Sequence, residues 1–388
     1  MKLQHVHRAL LLGLLKVMLP LALASLAPVA AADQASSAAY DSLPPAKATA
    51  AVPGHEDSLA ATVHGQAHDL AAAMGALKAC QSRSDKPQPC ELIRLNGERI
   101  TTGREIRAQV PPDPHPLYLW EYRQGASTVY LAGSIHVLKP SLYPLPAQLT
   151  TAFQQSDYLV LEVNTEQYPP AILQQQTMKH ALLPAGQTLQ SALPEPLARR
   201  LGDRLAAYGM SLQALASAKP AMVMNQLVIA RLMAMGYLPD YGVERHFLSL
   251  RTSQQILELE SLDAQLRLLF DQPAATQVQL LADTLDMELE IEPLLADMLT
   301  AWLSGDDARF LELFKAQSGD SALAEAFNRT LLDDRNLVMA DKIRGYLNEP
   351  GSYFVLVGAA HLIGDEGIVA LLSRDAIEGR RITSSDAL

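Results

Sequence analysis

The sequence predicts an α/β fold with a central, largely parallel sheet, built from two strand-Gly-x-x-His halves and interrupted by a large helical insertion. The apolar segment "VYLAGSIH" ends in Gly-x-x-His at His136, and "YFVLVGAAH" repeats that ending at His361. Between the repeats, apolar residues over 169–250 and 262–347 recur with the spacing of helices. Helical segments of this length suit the crossover connections that parallel strands require.

The strands and helices of this sheet are predicted in order from Leu117. "LYLWEYR" and "TVYLAGSI" indicate two strands joined by a Gln-Gly-Ala turn, and "PAQLTTAFQQS" indicates a helix opened by Pro. "DYLVLEV" is the continuous apolar run of a strand buried on both faces. "QQILELES" indicates another buried strand between the two helical stretches. At the end of the chain, "SYFVLVGAAH" and then "GIVALLSR" repeat the strand-to-helix step.

The first 32 residues are typical of a secretory signal peptide. Lys2, Arg8 and Lys16 supply the positive end, "VMLPLALASLAPVA" is the apolar run, and three alanines at 30–32 suit cleavage. An uncleaved membrane anchor is the alternative, but a run of about 14 residues is shorter than the roughly 20 that span a bilayer. We therefore expect an exported protein, periplasmic or secreted, with no stable membrane insertion after the signal is removed.

The next segments are predicted to form a linker and a small accessory module. Residues 33–54 are rich in Ala, Ser and Pro, which predicts a flexible linker. Residues 55–112 form the module, and the main domain follows over 113–380. Within the module, helical spacing predicts one helix over 55–79, and "LIRLNGERIT" carries the Asn-Gly signature of a tight hairpin.

The sequence contains two cysteines, Cys80 and Cys90. An even number of cysteines in an exported protein indicates one disulfide, which here would close a short loop. The alternative is a pair of unrelated thiols. Two cysteines alone would be too few ligands for a structural zinc site.

Charge and missing motifs exclude several classes of function. The formal net charge of −11 argues against a broad basic surface for nucleic acid, so no nucleic-acid partner is expected. The sequence has no His-Glu-x-x-His zinc motif, no Gly-x-Ser-x-Gly nucleophile elbow and no phosphate-binding loop. The oligomeric state has no signature in the sequence.

Four side chains stand at the predicted carboxyl ends of strands. His136 and His361 each follow a Gly by three residues, Glu162 ends "YLVLEV", and Glu260 ends "ILELE". Because such strand ends converge on a common crevice, two imidazoles and two carboxylates suit a divalent-metal site or an acid/base site. In the alternative interpretation, each histidine is a cap or a hydrogen-bonded core residue, and each glutamate caps a helix or pairs with an arginine.

The order of these motifs resembles that of the TraB/GumN family, which includes the Tiki-type proteases that trim secreted signalling proteins. The resemblance covers residues 117–375. It rests on seven segments in the family's order: "GSIH", "LVLEVN", "KPAMVMNQL", "YGVERHFL", "LELESLDAQL", "DDRN" and "VGAAHLIGDEGIVALL". Each segment alone is weak evidence for the family, whereas all seven in this order make a specific match.

The resemblance implies a metal-dependent hydrolase that cleaves peptide bonds, with a peptide or protein as its substrate. His136 and His361 would then bind a divalent metal ion such as Mn²⁺, Co²⁺ or Zn²⁺. Glu162 or Glu260 would complete the ligand set, with Glu162 the stronger candidate. The remaining carboxylate would act as general base.

The resemblance also implies roles for three further residues. Arg335 is expected to steady the developing oxyanion or a substrate carboxylate, because its fork suits bidentate contacts. Asn336 is expected to support the site or hold substrate. In the alternative interpretation, Arg335 and Asn336 are an ordinary pair of residues on the surface of a helix. Glu244 stands where the family pattern has Asp, and it is expected to support the site or hold substrate.

Two other functions fit the same motifs. The site could hold haem, a metal ion or another small ligand without catalysis, and such a ligand would stabilise the protein without turnover. The chain could also be a secreted regulatory or partner-binding protein with a degenerate site. Variants of the site would then bind the partner normally and bind no metal.

Overall fold

The computed structural model describes residues 40–86, 88–287, 290–318, 326 and 329–388. The predicted signal peptide and the first seven residues of the predicted linker lie outside these ranges. Within the described part of the chain, no helix combines the length and the hydrophobicity needed to cross a bilayer.

The described strands form one sheet of four strands and one sheet of six. The strands are, in chain order, β1 (Ala48–Ala51), β2 (Ala60–Val63), β3 (Glu91–Leu95), β4 (Glu98–Arg99), β5 (Pro116–Gln124), β6 (Ser127–Ser134), β7 (Tyr158–Leu161), β8 (Gln255–Glu258), β9 (Gly351–Gly358) and β10 (Arg380–Thr383). The small sheet has the order β2-β1-β3-β4, and the large sheet has the order β10-β5-β6-β9-β7-β8.

The six-stranded sheet confirms the predicted α/β fold. Strands β6, β9, β7 and β8 are parallel neighbours, while β5 and β10 extend the β6 edge as antiparallel strands. In the central strand β9, Phe354 and Val355 are fully buried. A continuous apolar run is what a parallel strand needs when helices cover both faces of the sheet.

The helices lie mainly in two blocks that β8 separates. The first block joins β7 to β8, and the second joins β8 to β9, so β8 divides the predicted helical insertion. The α-helices are α1 (Asp69–Arg83), α2 (Gly103–Ala108), α3 (Ala147–Gln154), α4 (Pro170–Ala181), α5 (Leu189–Ala192), α6 (Glu195–Ala206), α7 (Pro220–Ala234), α8 (Val243–Leu250), α9 (Leu262–Phe270), α10 (Ala274–Met287), α11 (Ile291–Ser304), α12 (Asp307–Ser318), α13 (Asp334–Leu347) and α14 (Ile368–Arg374).

The predicted flexible linker is wrong for its last part. Strand β1 lies inside that range, pairs with both β2 and β3, and buries Ala48 and Ala50 completely. Small side chains allow close packing, and two neighbouring strands satisfy the backbone groups of β1. Composition alone does not reveal this pairing, because Ala-rich segments carry little of the bulky apolar surface that marks a strand.

The predicted single helix over 55–79 is also wrong. The structure has β2 in that range, then a turn with Gly65 at φ +62°, and α1 begins only at Asp69. The side chain of His68 accepts a hydrogen bond from the N–H of Ala71, which caps the helix. The Asn-Gly hairpin is confirmed, with both turn residues at positive φ, and a disulfide joins Cys80 to Cys90.

A buried lysine joins the small module to the main domain. The ammonium of Lys139 donates to the carbonyl oxygen of Thr101 (2.6 Å), and the residue is 1% exposed. Burial lowers the pKa of Lys139 to about 8, and the nearby carboxylates of Glu91, Glu292 and Glu105 oppose that shift only in part. Proton binding at Lys139 is therefore coupled to folding at mildly alkaline pH.

Raising the pH from about 8 to 10 is expected to increase the free energy of unfolding. In this window unfolded Lys139, with its ordinary pKa of 10.5, keeps a proton that the folded residue loses. Stability then rises with pH by at most about 1.4 kcal/mol per unit. Urea unfolding at both pH values should show the rise in the natural protein and in the variant of exposed Lys78, Lys78→Met. The same rise in Lys139→Met would contradict the assignment.

Candidate active site

The structure gathers the predicted residues at the carboxyl edge of the parallel strands. Ser134 at the end of β6 is the register partner of Gly358 at the end of β9, so the two Gly-x-x-His histidines follow neighbouring strands. Glu162 follows β7, and its carbonyl oxygen accepts from the N–H of Glu260 just beyond β8 (2.8 Å). The strand order therefore brings all four strand-end side chains to one edge of the sheet.

His361 is completely buried, and both of its ring nitrogens face polar partners. Its Nδ1 lies 2.5 Å from Oδ1 of Asn336, whose amide nitrogen donates to the carbonyl oxygen of Glu366 (2.8 Å). Because the oxygen of this amide is the acceptor, Nδ1 of His361 carries the proton. Its Nε2, 3.1 Å from Nη1 of Arg335, is then the acceptor of a guanidinium N–H.

Arg335 is the centre of this cluster, and each of its five N–H donors has an acceptor. The acceptors are both carboxylate oxygens of Glu260 (2.7 and 2.6 Å), Oε2 of Glu162 (2.7 Å), the carbonyl oxygen of Leu331 (2.9 Å) and Nε2 of His361 (3.1 Å). Burial alone would lower the pKa of Arg335, but the two carboxylates outweigh it and raise that pKa. The guanidinium therefore stays charged.

The two carboxylates have further partners that fix their positions. Oε1 of Glu162 accepts from the backbone N–H of Gly358 (2.8 Å), the last residue of β9. The side-chain amide of Gln265 on α9 donates to Glu162 (3.2 Å) and lies 3.4 Å from Glu260. These contacts tie the ends of β7, β8 and β9 to one another through side chains.

The cluster shows the surroundings of several predicted residues. Arg335 is 8% exposed and Asn336 is 2% exposed, so the ordinary surface pair is excluded. The pairing of glutamate with arginine, one of the alternatives for both Glu162 and Glu260, is the arrangement in the structure. His361 likewise matches the alternative of a hydrogen-bonded core histidine.

His136 belongs to a second group of side chains at the same edge. Its Nδ1 lies 2.7 Å from Oε1 of Glu244, and the hydroxyl of Ser134 donates to the same oxygen (2.5 Å). Burial would raise the pKa of Glu244, but His136 and Ser134 outweigh it and lower that pKa. Glu244 is therefore ionised, also because it lies in the first turn of α8, where the helix dipole favours negative charge.

The backbone explains why Glu244 meets His136. The N–H of Val243 donates to the carbonyl oxygen of Ile135 (3.0 Å), which docks the start of α8 on the loop after β6. A Cβ at Gly242 would lie 2.3 Å from the carbonyl oxygen of His136, so a larger residue would push the two segments apart. Gly242 thus permits the close approach on which the His136–Glu244 contact depends.

Sequence reasoning missed Ser134 and Gln265 as parts of the site. Both lie inside motifs that carried the family resemblance, "GSIH" and "LELESLDAQL". The motifs therefore contained the signal, but nothing in their spacing showed that the hydroxyl and the amide hold the carboxylates.

The donor atoms do not fit the predicted metal centre in this arrangement. Of the predicted ligands, His136 contacts Glu244, and both His361 and Glu162 contact Arg335. Arg335 also faces Nε2 of His361, the nitrogen that a metal ion would take. Among the described residues, no three His, Cys, Asp or Glu side chains stand together as a metal-binding group.

Comparison with known proteins gives a family for the six-stranded domain. A family model described as the TraB/PrgY/gumN family matches residues 118–381, well over half of the chain. The chain belongs to the TraB/PrgY/gumN family. The family match spans nearly the whole six-stranded sheet and begins after the small sheet, so the resemblance read from the motifs is confirmed.

Relatives of this TraB/PrgY/gumN protein include two proteins named YbaP. YbaP of Escherichia coli (strain K12) is 29% identical over 260 residues, which cover 64% of this chain and 89% of the relative. YbaP of Shigella flexneri is 29% identical over 255 residues, which cover 63% and 87%. Both relatives are described as uncharacterised, so they support the family and indicate no activity. No solved structure matches the chain significantly.

Proposed function

We propose that this TraB/PrgY/gumN protein is a hydrolase that cleaves peptide bonds at the carboxyl edge of its six-stranded sheet. The observation that carries the proposal is the His136–Glu244 pair. A carboxylate on Nδ1 fixes the orientation of an imidazole and directs its Nε2 to other groups, as in catalytic histidines. Family membership and the matching orientation of His361 by Asn336 support the same conclusion.

In the proposed reaction, His136 moves the proton. Its Nε2 takes a proton from the water that attacks the peptide carbonyl carbon, and it later gives that proton to the leaving amine as the C–N bond breaks. Ionised Glu244 stabilises the imidazolium that forms between these steps. The side chain of His136 is 18% exposed, which leaves it within reach of solvent and substrate. General acid–base catalysis of this kind contributes about 10²–10⁴-fold to a rate.

Arg335 has a positioning role in this proposal and does not contact the substrate. Its five donors are all engaged, so in this arrangement no N–H is left for the oxyanion role that the resemblance implied.

The divalent metal ion stays a prediction and takes part in no step proposed here. The donors predicted to bind it are engaged with Arg335 or Glu244. Elemental analysis of the purified protein decides the question: a stoichiometric ion would require the cluster to rearrange, and its absence would favour the arginine-centred site.

We also propose that the protein acts after export, in the periplasm or outside the cell. The support is the signal-like sequence of residues 1–32 and the disulfide between Cys80 and Cys90, which forms in oxidising compartments. Fractionation followed by amino-terminal sequencing tests this. A full-length protein recovered from the cytoplasm would contradict it.

Digestion of a peptide library tests the proposed activity. Purified residues 33–388 would be incubated with the library, with and without Mn²⁺, Co²⁺ or Zn²⁺, and products would be identified by mass spectrometry. We expect new peptide termini that appear with enzyme-dependent kinetics. If protein that circular dichroism shows to be folded gives no products under any of these conditions, peptide hydrolysis would lose its support.

A regulatory or partner-binding function is the second candidate. The observation that favours it is the saturation of the Arg335 cluster, whose buried groups satisfy one another as a structural network would. On this alternative, substitutions at His136 or Glu244 would leave partner binding unchanged.

A further inference from the structure

The small module lies directly against the loop that follows His136. Arg107 on α2 donates from Nη2 to the carbonyl oxygens of Leu142 (2.5 Å) and Pro144 (2.6 Å), and from Nε to that of Ser141 (3.3 Å). One guanidinium thus holds three carbonyls of a segment that begins five residues after His136. These are charged hydrogen bonds, which are stronger than neutral ones.

Packing brings the same helix close to this segment. A Cβ at Gly103, the first residue of α2, would lie 2.1 Å from Oγ of Ser141 and 3.2 Å from Cγ of Leu142. Thr102 caps α2 through a reciprocal pair of hydrogen bonds with Glu105, which fixes where the helix begins. Close packing of α2 against the loop therefore adds to the hydrogen bonds of Arg107 in holding the two segments together.

A second anchor lies three residues after His136. Lys139 donates to the carbonyl oxygen of Thr101, whose own N–H donates to Oε1 of Glu292 on α11 (2.8 Å). A buried ammonium is costly without such partners. The loop after His136 is thus held at residue 139 and again at residues 141–144, both times by the segment around α2.

The anchored loop in turn contacts the element that carries Glu244. The hydroxyl of Tyr143 donates to the carbonyl oxygen of Tyr241 (2.7 Å), and the next residue, Gly242, packs on the carbonyl of His136. Glu244 follows two residues later and binds His136. A continuous set of contacts therefore runs from Arg107 through Tyr143 to the His136–Glu244 pair.

We infer that the small module is a built-in support of the candidate active site, with Arg107 as its principal positioning residue. The module lies outside the range 118–381 that the family model matches, so this support comes from a part of the chain beyond the matched range. The catalytic meaning of the inference rests on the proposed function. Its structural part, that α2 holds the loop at 136–144 and through it the segment at 241–244, does not.

Hydrogen exchange in the full mature chain tests the inference. We would compare Arg107→Ala with the natural protein and with Arg104→Ala, a matched control on the exposed side of the same helix. Charged hydrogen bonds of this kind oppose local opening, so amides in 136–144 and 241–246 should exchange about tenfold faster in Arg107→Ala. Exchange in these two segments should be unchanged in Arg104→Ala.

Arg107→Lys keeps the charge but replaces the planar guanidinium, which donates from both Nε and Nη2, with a single ammonium of different geometry, so an intermediate exchange rate is expected. This variant keeps the test decisive if Arg107→Ala fails to fold. Exchange at 136–144 that stays at the natural rate in either folded Arg107 variant would overturn the inference. Faster exchange in a protein that cleaves no peptide would uphold the support and reject the proposed activity, so the two failures are distinguishable.

Discussion

The variant Arg335→Met is expected to lose about 3–5 kcal/mol of the free energy of unfolding. The substitution removes the cation that stands between Glu162 and Glu260, so the two carboxylates face each other with only the neutral donors Gly358 and Gln265. It also removes the donor to Nε2 of His361. Urea unfolding monitored by circular dichroism measures the change, and Met keeps most of the volume of the replaced side chain.

Two matched variants show whether the loss has this electrostatic origin. Arg309→Met removes an exposed arginine from surface pairs with Glu312 and Asp297, where about 0–1 kcal/mol is at stake. Adding Glu260→Gln to Arg335→Met removes one of the two facing charges, so part of the lost stability should return. A loss below about 1 kcal/mol in Arg335→Met would mean that the cluster is not held together by this arginine.

The variant Glu244→Gln is expected to lower the rate of peptide cleavage by about 10²–10⁴-fold while the protein stays folded. Glutamine keeps the shape of the side chain but removes the charge that stabilises protonated His136, and its amide can favour the wrong tautomer. The measurement is kcat and KM for a peptide that the natural protein cleaves. Most of the loss should lie in kcat, because Glu244 acts on the proton transfer.

The pH dependence gives an independent check on Glu244. Its pKa lies below the ordinary 4.5, so its charge and the stability that it contributes are fully present above pH 4.5 and are lost as the pH falls through the lowered pKa. Glu244 should therefore still be ionised at pH 5, and its own titration should not limit cleavage there. The control is Glu166→Gln, which alters an exposed carboxylate near Arg245 and should leave the rate unchanged. Equal rates for Glu244→Gln and the natural protein would exclude the proposed role.

The sequence predicted the sheet and the position of the histidines because both depend on local patterns. Apolar runs that end in Gly-x-x-His identified β6 and β9, and parallel strands place their ends at one edge. The partner of His361 could not be predicted in the same way. Asn336 and Arg335 reach the edge from a helix, α13, and their contacts depend on how that helix packs on the sheet.

The errors of the sequence analysis lie where small residues predominate. Strand β1 consists of Ala and Thr, which look like linker composition, yet pairing with two neighbours and packing of α1 bury it. The prediction of a single helix over 55–79 was wrong because widely spaced apolar residues fit a strand followed by a helix as well as they fit one long helix. The metal site stays a prediction, and spacing alone does not show that Arg335 lies among its predicted ligands.

The most direct test of the central claim is a side-by-side comparison of His136→Ala and His55→Ala in the library digestion. His55 is an exposed histidine of the small module and serves as the matched control. The account predicts that His55→Ala cleaves like the natural protein, whereas His136→Ala loses about 10²–10⁴-fold in rate with an unchanged circular dichroism spectrum. Equal cleavage by both variants would show that the edge of the sheet around His136 is not the catalytic centre.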